Sequence, residues 1–460
     1  MATSPTQTVL RLTGPAVLTS LLQTLAFLAD RIMLGRHGAV SLASMQISGT
    51  VMWSVFSVFF GAMIGTVALV SRRVGAGELD QARVVARTAV RLAAVIGLLV
   101  GLAGSVGAGG IAWAMAPSDG DAEAIVAVAT GYMRLGFCAY PAVFVAAAGA
   151  LILNGSGDTK STFWIGTVAN LLNIAANYLL IYGHELGPIT IPELGATGAA
   201  LATVLAYLVQ CALVLWVLRR PRCPVRVVAP LRGSAAGAGA ELEARRRLIR
   251  LSMPAVVERV VIHVGYVAFA TVVTSLGAVA MAANQALLTL ESICFLGAEG
   301  FGIAAATVVG QYLGRHDGDG SARGGWFAAL TCAAALSACG LLIWATAPWT
   351  LPVFVAPGES GDALIAAAIG AMPILVLAQP VMAVAVVLGH GLRGAGDTRS
   401  PVIAAAIGGL LIRVLGSWVL AVELDLGLTG IWLATALDWG VRSLILGAVF
   451  WRGRWRTLDV

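Results

Sequence analysis

Long apolar segments recur along almost the whole 460-residue chain, from Gly14 to Phe450. Runs of about 20 residues are long enough for an α-helix to cross a hydrocarbon layer of about 30 Å. Charged residues make up 11% of the chain and the mean hydropathy is +0.89, whereas about a quarter of the residues in soluble domains are charged. We therefore predict an all-α polytopic membrane protein. The N-terminal sequence lacks the features of a cleaved secretory signal, so we expect the first apolar segment to remain a membrane helix.

Hydropathy breaks divide the apolar sequence into twelve predicted spans. Basic residues follow every second span: Arg72 and Arg73 follow the second, Lys160 the fourth and Arg452 the twelfth. Because cytoplasmic loops carry an excess of Lys and Arg, we expect a multi-pass protein of the cell membrane with both termini in the cytoplasm. The predicted spans lie near residues 12–35, 43–71, 88–115, 125–152, 162–183, 195–218, 247–274, 280–309, 325–348, 362–391, 401–422 and 428–450.

A polar motif occurs twice. NGSGDTKST at 154–162 returns as RGAGDTRSP at 393–401, and Pro15 matches Pro254 at the same offset of 239 residues. The chain is therefore predicted to contain two homologous halves, an N-terminal lobe at 1–218 and a C-terminal lobe at 247–460, joined by a cytoplasmic linker at 219–246. Six spans per half is an even number, so the lobes should be related by a pseudo-twofold axis along the membrane normal, an arrangement typical of transporters.

Several other classes of site are disfavoured by the sequence. The first copy of the motif is not a P-loop, because its Lys160 does not directly follow the second glycine, and ATP-driven transport is disfavoured for the same reason. The six cysteines lie singly, without the spacing of a metal site or a disulfide framework. We expect no metal, no cofactor and no nucleic-acid partner.

Motifs distributed over the whole chain together resemble the multidrug and toxic compound extrusion (MATE) family. The resemblance implies twelve helices in two six-helix lobes around a cleft, and antiport of amphipathic, often cationic, organic compounds driven by a cation. It rests on Pro15, Asp30, Gly35, Gly38 and Ala43 in the first two spans, on GSGDTK and GAGDTR, on VVGQYLG at 308–314, on NLLNIAANYLLIYG at 170–183 and on GATGAALAT at 195–203.

Four oxygen-bearing side chains of the first lobe are predicted to lie at similar depths. At 1.5 Å per residue, Asp30, Asn173, Asn177 and Thr203 lie about 17 to 28 Å from the cytoplasmic ends of their helices. Asn173 and Asn177 share one helix face because they are four residues apart. The resemblance implies that the acid at Asp30 belongs to a cation or proton site with polar residues of the fifth and sixth spans.

An alternative interpretation of the same residues is structural. Asp30 could mark the outer membrane interface together with Arg31 and Arg36, and the Asn and Thr groups could join helices by hydrogen bonds. Some MATE relatives carry a second Asp where this chain has Asn177. This difference weakens the sodium interpretation, although amide and hydroxyl oxygens also bind hard cations.

The second lobe also contains ionisable residues within its predicted spans. Since charged groups inside a membrane are costly, each requires a partner or a function. Glu258, His263, Glu299, Arg413 and Asp438 form a possible polar network. We predict a buried structural ion pair between Arg413 and Asp438. For Glu299 no local counter-charge is evident from the sequence, which makes it the second candidate for coupling.

Large apolar side chains could line a cleft suited to flat organic cations, although such residues more often pack helices or face lipid. The candidates are Trp53, Phe56, Phe60, Met63, Tyr140 and Phe295.

The favoured function is a secondary active antiporter that exports amphipathic, cationic organic compounds in exchange for protons or sodium by alternating access. The alternative is a flippase for lipid-linked or other amphipathic lipids, disfavoured by the scarcity of Arg in the outer halves of the spans. An intramembrane enzyme would need a nucleophile and base or a metal set at one depth, and no such set is evident. We expect small organic substrates and membrane lipid as partners, and a monomer.

Overall fold

The computed structural model describes residues 4–116, 122–186, 189–228, 238–355 and 361–458, and these residues are almost entirely helical. Short 3₁₀ turns occupy Gly61–Met63, Leu351–Phe354 and Arg454–Thr457. The helices are α1 Pro5–His37, α2 Ala39–Phe60, α3 Gly65–Gly75, α4 Leu79–Ala114, α5 Ala122–Cys138, α6 Tyr140–Ser156, α7 Thr159–Tyr182, α8 Gly195–Arg219, α9 Ala238–Ser275, α10 Ala278–Gly314, α11 Gly318–Thr350, α12 Asp362–Ala395, α13 Arg399–Ala405 and α14 Gly427–Arg452.

Within the described ranges, 11 helical segments are long and apolar enough to cross a membrane, and the pair α5 and α6 supplies a twelfth. The predicted all-α, twelve-span fold is therefore confirmed. The span predicted as one helix at 125–152 is instead bent by 51° between Cys138 and Tyr140. Pro141 lies in the first turn of α6, where its missing N–H costs nothing, whereas in the middle of one continuous helix it would break a backbone hydrogen bond.

The connection between α7 and α8 contains a small β-hairpin that the sequence did not predict. Strand β1, His184–Leu186, pairs antiparallel with strand β2, Ile189–Ile191. Tyr182, at the end of α7, donates its hydroxyl to the Met33 carbonyl at 2.9 Å. The hairpin region thus holds the end of α1 beside α7.

The first copy of the repeated motif forms a tight connector between α6 and α7. Gly157 has a φ of 89°, the left-handed conformation that glycine adopts without strain. Its N–H donates to the Asn154 carbonyl, and the N–H of Asp158 donates to the Leu153 carbonyl, the Schellman pattern of a helix end. The Asp158 carboxylate then accepts from the Ser161 N–H at 3.0 Å and caps α7.

The second copy repeats this geometry between α12 and α13. Gly396 has a φ of 95°, and the N–H of Asp397 donates to the Leu392 carbonyl. The Asp397 carboxylate accepts from the Ser400 N–H at 3.0 Å and from the Ser400 hydroxyl at 2.6 Å. The motif that revealed the internal repeat is therefore a helix cap used twice.

The chain divides into two compact units. We call Leu21–Thr66 with Glu78–Ile249 the N unit, and Met1–Ser20 with Val67–Gly77 and Arg250–Val460 the C unit. This division assigns the first part of α1 and nearly all of α3 to the C unit, whereas the predicted lobe boundary followed the repeat. The predicted lobes at 1–218 and 247–460 remain a prediction.

Each unit has its own apolar core. In the N unit, Met133, Phe137 and Phe144 are fully buried among α2, α4, α5 and α6. In the C unit, Trp432 and Phe450 are buried among α10, α11, α12 and α14.

Glycines allow α3 and α10 to cross in backbone contact within the C unit. A Cβ on Gly75 would lie 2.1 Å from the Gln311 carbonyl oxygen, and one on Gly314 would lie 2.0 Å from the Arg72 carbonyl oxygen. The two glycines occupy equivalent positions of the repeat, so the same contact is built from both halves of the sequence.

The eleventh span departs from regular α-helix. After α13 the chain continues as π-helix over Ala406–Leu415 and Trp418–Glu423, a form that appears often at functional sites. A Cβ on Gly408 would lie 2.3 Å from Asp438 Oδ1, and one on Gly409 would lie 2.1 Å from Arg442 Nη2. The two glycines therefore make room for the charged side chains of α14.

Candidate functional site

The N unit contains a buried acid, Asp30 of α1, whose side chain is 8% exposed. Asn177 of α7, which is fully buried, donates its Nδ2 to Asp30 Oδ1. The same Nδ2 lies 3.3 Å from Asn173 Oδ1. The predicted contact between α1 and one face of α7 is present in the structure.

The hydrogen-bonded chain continues to α8. Asn173 donates its Nδ2 to Thr203 Oγ1 at 3.4 Å. All four predicted residues, Asp30, Asn177, Asn173 and Thr203, therefore form one polar cluster on three helices. The similar depths estimated from sequence led to the expectation that these residues meet, because each lies in a regular helix whose rise per residue is fixed.

Two tyrosines that the sequence prediction missed lie beside this cluster. Tyr132 of α5 is paired with Thr203, and the phenols of Tyr132 and Tyr207 both lie close enough to interact with the Asp30 carboxylate. Tyr207 is four residues after Thr203, so the shared face of α8 was visible in the sequence. Tyr132 carried no comparable signal, since its approach depends on how α5 packs.

Asp30 has no ion-pair partner among the described residues. Arg31 and Arg36, which the structural alternative placed with Asp30, are exposed side chains on the same helix, and neither is paired with it. The C-terminal end of α1 is instead held by His37, whose Nε2 lies 3.1 Å from Glu193 Oε1. The cluster is therefore a carboxylate surrounded by neutral amide, hydroxyl and phenol groups.

This arrangement can bind a small cation. The isolated buried carboxylate is costly as an anion, since burying an unpaired charge is strongly unfavourable. Asn177 Oδ1 is buried and accepts no hydrogen bond, so the cluster holds a spare oxygen beside the acid. A proton on Asp30, or a hard cation such as sodium bound by these oxygens, would neutralise the charge.

In the C unit, two of the predicted acids have partners on α12 that the sequence did not reveal. Glu258 of α9 forms an ion pair with Arg393. Glu299 of α10 lies with its Oε2 3.2 Å from His390 Nε2. Glu299 therefore has a local partner that the sequence did not reveal, because the packing of α10 against α12 brings His390 to it from a distant part of the sequence.

Asp438 of α14 is fully buried and contacts two guanidinium groups. Arg413 Nε lies 2.8 Å from Asp438 Oδ2, as predicted, although its N–H is not aimed at that oxygen. Arg442, one turn after Asp438, donates its Nη2 to Oδ2 at 3.0 Å. Glu291 of α10 is also buried near Arg413. The predicted ion pair is thus part of a larger cluster.

His263, the remaining member of the predicted C-lobe network, forms no ion pair in the described part of the chain. Its Nε2 is buried without a hydrogen-bond partner. The structure therefore separates the predicted network into one ion pair (Glu258 with Arg393), one contact between an acid and an imidazole (Glu299 with His390), a four-residue charge cluster around Asp438 and the single imidazole of His263.

The predicted cleft residues differ in exposure. Trp53 is half exposed and Phe56 and Phe60 are partly exposed, and consecutive members of this row have ring centroids 6.0 and 5.5 Å apart. Met63 and Tyr140 are buried in the N-unit core, where the Tyr140 hydroxyl donates to the Met52 carbonyl at 2.7 Å. These two side chains do not line open space in this structure, because α2, α4 and α5 pack over them.

Phe295 is partly exposed in the C unit, with its ring centroid 6.3 Å from that of Trp439. All six cysteines are free thiols. The described ranges contain no group of three or more His, Cys, Asp or Glu side chains that could hold a metal ion.

A twelve-span helical fold with an internal repeat and a buried, unpaired acid defines the class of the protein as a polytopic membrane transporter. The family model described as MatE matches residues 15–179 and 254–419, one match in each half of the repeat. The chain belongs to this family, the MATE transporters, as the sequence resemblance predicted.

Named relatives are bacterial multidrug resistance proteins. The chain is 26% identical over 455 residues, covering 97% of this chain and 92% of the relative, to the "Probable multidrug resistance protein NorM" of Thermotoga maritima. It is 27% identical over 307 residues, covering 66% of this chain and 64% of the relative, to the "Multidrug resistance protein MdtK" of Klebsiella pneumoniae. The flippase alternative gains no support from these relatives.

Solved structures share the fold. One described as an outward-facing conformation of a multidrug resistance MATE family transporter of the MOP superfamily superposes with a TM-score of 0.86 at 20% identity, covering 98% of this chain and 96% of that one. A MOP superfamily transporter from Pyrococcus furiosus gives a TM-score of 0.85 at 21% identity over the same shares.

Proposed function

We propose that this protein is a secondary active antiporter that exports amphipathic, cationic organic compounds in exchange for protons by alternating access. The observation that carries the proposal is Asp30, a buried carboxylate of the N unit with neutral hydrogen-bonding partners and no ion pair among the described residues. The multidrug resistance function of the named relatives supports the class of substrate.

Because the Asp30 carboxylate lacks a counter-ion, the electrostatic energy of the site changes strongly when Asp30 binds or releases a proton. Proton binding neutralises Asp30, and proton release restores a costly buried anion. Antiport requires that the inward-open and outward-open conformations differ in their affinity for the proton, because a ligand that binds both equally shifts neither. The hydrogen bonds from α7 to α1 provide contacts that can differ between conformations.

Asn177 can serve both protonation states of Asp30. Its Nδ2 donates to the carboxylate while its Oδ1 has no hydrogen-bond partner. A carboxylic acid donates a hydrogen bond instead of only accepting, so rotation of the amide would let Oδ1 accept from protonated Asp30. In this proposal the orientation of the Asn177 amide depends on whether Asp30 is protonated, and this dependence couples the protonation of Asp30 to α7.

Sodium is the other coupling ion that the cluster could take, with the oxygens of Asp30, Asn173, Asn177 and Thr203 as ligands. Only one of these is a carboxylate, and the charge of the ligand set governs the affinity for hard cations. We therefore favour the proton. We further propose that the chain works as a monomer with both termini in the cytoplasm, and that it needs no cofactor beyond the coupling ion.

The test uses proteoliposomes with ethidium as the transported probe and an internal pH-sensitive dye. An imposed proton gradient should drive ethidium exchange in the wild-type protein, and a sodium gradient alone should not. Asp30→Asn keeps the shape of the side chain but cannot cycle a proton, so we expect normal folding, retained ethidium binding and loss of exchange. Glu185→Gln removes an exposed carboxylate from the same unit and serves as the matched control.

Wild-type exchange rates in Asp30→Asn proteoliposomes would show that the coupling site lies elsewhere. Glu299, paired with His390, would then be the next acid to substitute. Ethidium exchange driven by sodium at constant pH would instead show that sodium is the coupling ion, and the Asp30 cluster would remain the proposed coupling site.

A further inference from the structure

An open groove of about 740 Å³ lies in the C unit between the first turns of α11 and the last turn of α14. It is separate from the Asp30 cluster, which belongs to the N unit, and the proposed transport cycle does not use it. Its lining includes Asp319, Arg323, Trp326, Leu330, Trp451 and Arg456.

One wall of the groove is a single face of α11. Arg323, Trp326 and Leu330 stand at positions i, i+3 and i+7, which lie on one side of an α-helix. Leu330 is about 10 Å further along the helix axis than Arg323. The face therefore changes from charged to apolar over roughly the distance that separates a lipid headgroup from the upper part of its acyl chains.

The apolar part of the groove is open. Trp451 is 80% exposed and Leu330 is 60% exposed. Trp326 packs edge-on against Phe450, with ring centroids 5.8 Å apart, which fixes the shape of the wall between them. Aromatic side chains with one polar and one apolar end, such as Trp, are typical of the membrane interface. The surface formed by Trp326, Leu330 and Trp451 is therefore better suited to contact with hydrocarbon than with water.

The charged part carries one uncompensated positive charge. Arg456 Nη1 lies 2.9 Å from Asp319 Oδ1, and this ion pair neutralises the carboxylate in the groove. Arg323 is exposed and forms no ion pair within the described ranges. A guanidinium group binds a phosphate through two parallel hydrogen bonds, so Arg323 can hold the phosphate of an anionic ligand in the groove.

We infer that the groove binds an anionic glycerophospholipid, with its phosphate at Arg323 and one acyl chain along Trp326, Leu330 and Trp451. This lipid would lie in the cytoplasmic leaflet, because the loop before α11 is predicted to be cytoplasmic. Basic pockets between membrane helices on this side are suited to anionic headgroups, and each Arg near the surface contributes about 1 kcal/mol to their binding.

The test is native mass spectrometry of the full chain, delipidated in detergent and titrated with phosphatidylglycerol or phosphatidylcholine that carry the same acyl chains. The wild-type protein should bind phosphatidylglycerol about fivefold more tightly than phosphatidylcholine, and Arg323→Gln should remove that preference. Arg452→Gln, which removes an exposed charge at the end of α14 outside the groove lining, should keep it. Leu330→Asn should weaken binding of both lipids.

Three outcomes would overturn the proposal. Equal losses in Arg323→Gln and Arg452→Gln would show attraction by the general surface charge. Release of phosphatidylglycerol by millimolar inorganic phosphate would show a free-anion site. Unchanged binding in Leu330→Asn would show that no acyl chain lies in the groove. Since Arg323, Arg452 and Leu330 are all exposed, these variants test binding with little risk to folding.

Discussion

Removing the charge of Asp438 is the sharpest test of the C-unit charge cluster. Asp438→Asn keeps the shape of the side chain but leaves Arg413 and Arg442, both largely buried, without the carboxylate they share. Breaking a buried ion pair by removing one partner costs about 3–5 kcal/mol. Because this one carboxylate serves two guanidinium groups, we expect a loss near the upper end of that range.

The two arginines should not be equivalent. Arg442 donates aligned hydrogen bonds to both carboxylate oxygens, whereas the N–H of Arg413 is not aimed at Asp438. Arg413→Gln should therefore cost less than Asp438→Asn, about 1–3 kcal/mol. Combining Asp438→Asn with Arg442→Gln should be milder than Asp438→Asn alone, since Arg413 can still pair with Glu291.

Exchanging Arg413 and Asp438 is the decisive comparison. For a simple ion pair, such as the one predicted from the sequence, the exchange should restore most of the folded yield. The structure predicts failure, because an arginine at position 438 would lie beside Arg442. The measurement is the fraction of monodisperse protein that survives heating in detergent. Recovery in the exchanged variant, or equal losses for Arg413→Gln and Asp438→Asn, would refute the assignment of Arg442 as the main partner.

Three further predictions follow from the site and the helix contacts. Asn177→Asp places a second carboxylate beside the first, so ethidium exchange in proteoliposomes should become sodium-dependent; indifference to sodium would contradict this. Asp397→Ala should lower stability by about 2 kcal/mol and Asp158→Ala by about 1 kcal/mol, because the former cap accepts one more hydrogen bond; equal thermal shifts would count against it. Gly314→Ala should cost at least about 1–3 kcal/mol in thermal unfolding, whereas Gly110→Ala, which meets no atom within 4 Å, should not destabilise.

The features that could be predicted from the sequence are those that depend on regular helix geometry or on repetition along the chain. The rise of 1.5 Å per residue was enough to place Asp30, Asn173, Asn177 and Thr203 at compatible depths, and the repeat was visible as a constant offset. The bend before α6 also has a local signal in the sequence, Pro141. These features depend on residues that are close in sequence, where local rules apply.

Partners chosen by helix packing could not be predicted. His390 meets Glu299, and Arg393 meets Glu258, only because the packing of α12 against α10 fixes which face of α12 carries each side chain to its partner. Hydropathy gives each helix a position along the chain but does not fix its rotation. The π-helical stretch after α13 adds to the difficulty, because it shifts the faces of the residues that follow it.

Gly408 and Gly409 restrict how this part of the chain can evolve. A Cβ on Gly408 would collide with both Asp438 and Arg442, whereas one on Gly409 would meet the guanidinium group of Arg442, so a side chain at 409 requires that Arg442 move or be replaced. Arg442 in turn cannot be lost alone without leaving Asp438 short of its best-aligned partner. Among relatives, a side chain at 409 should therefore appear together with a change at 442, whereas Gly408 should persist for as long as Asp438 does.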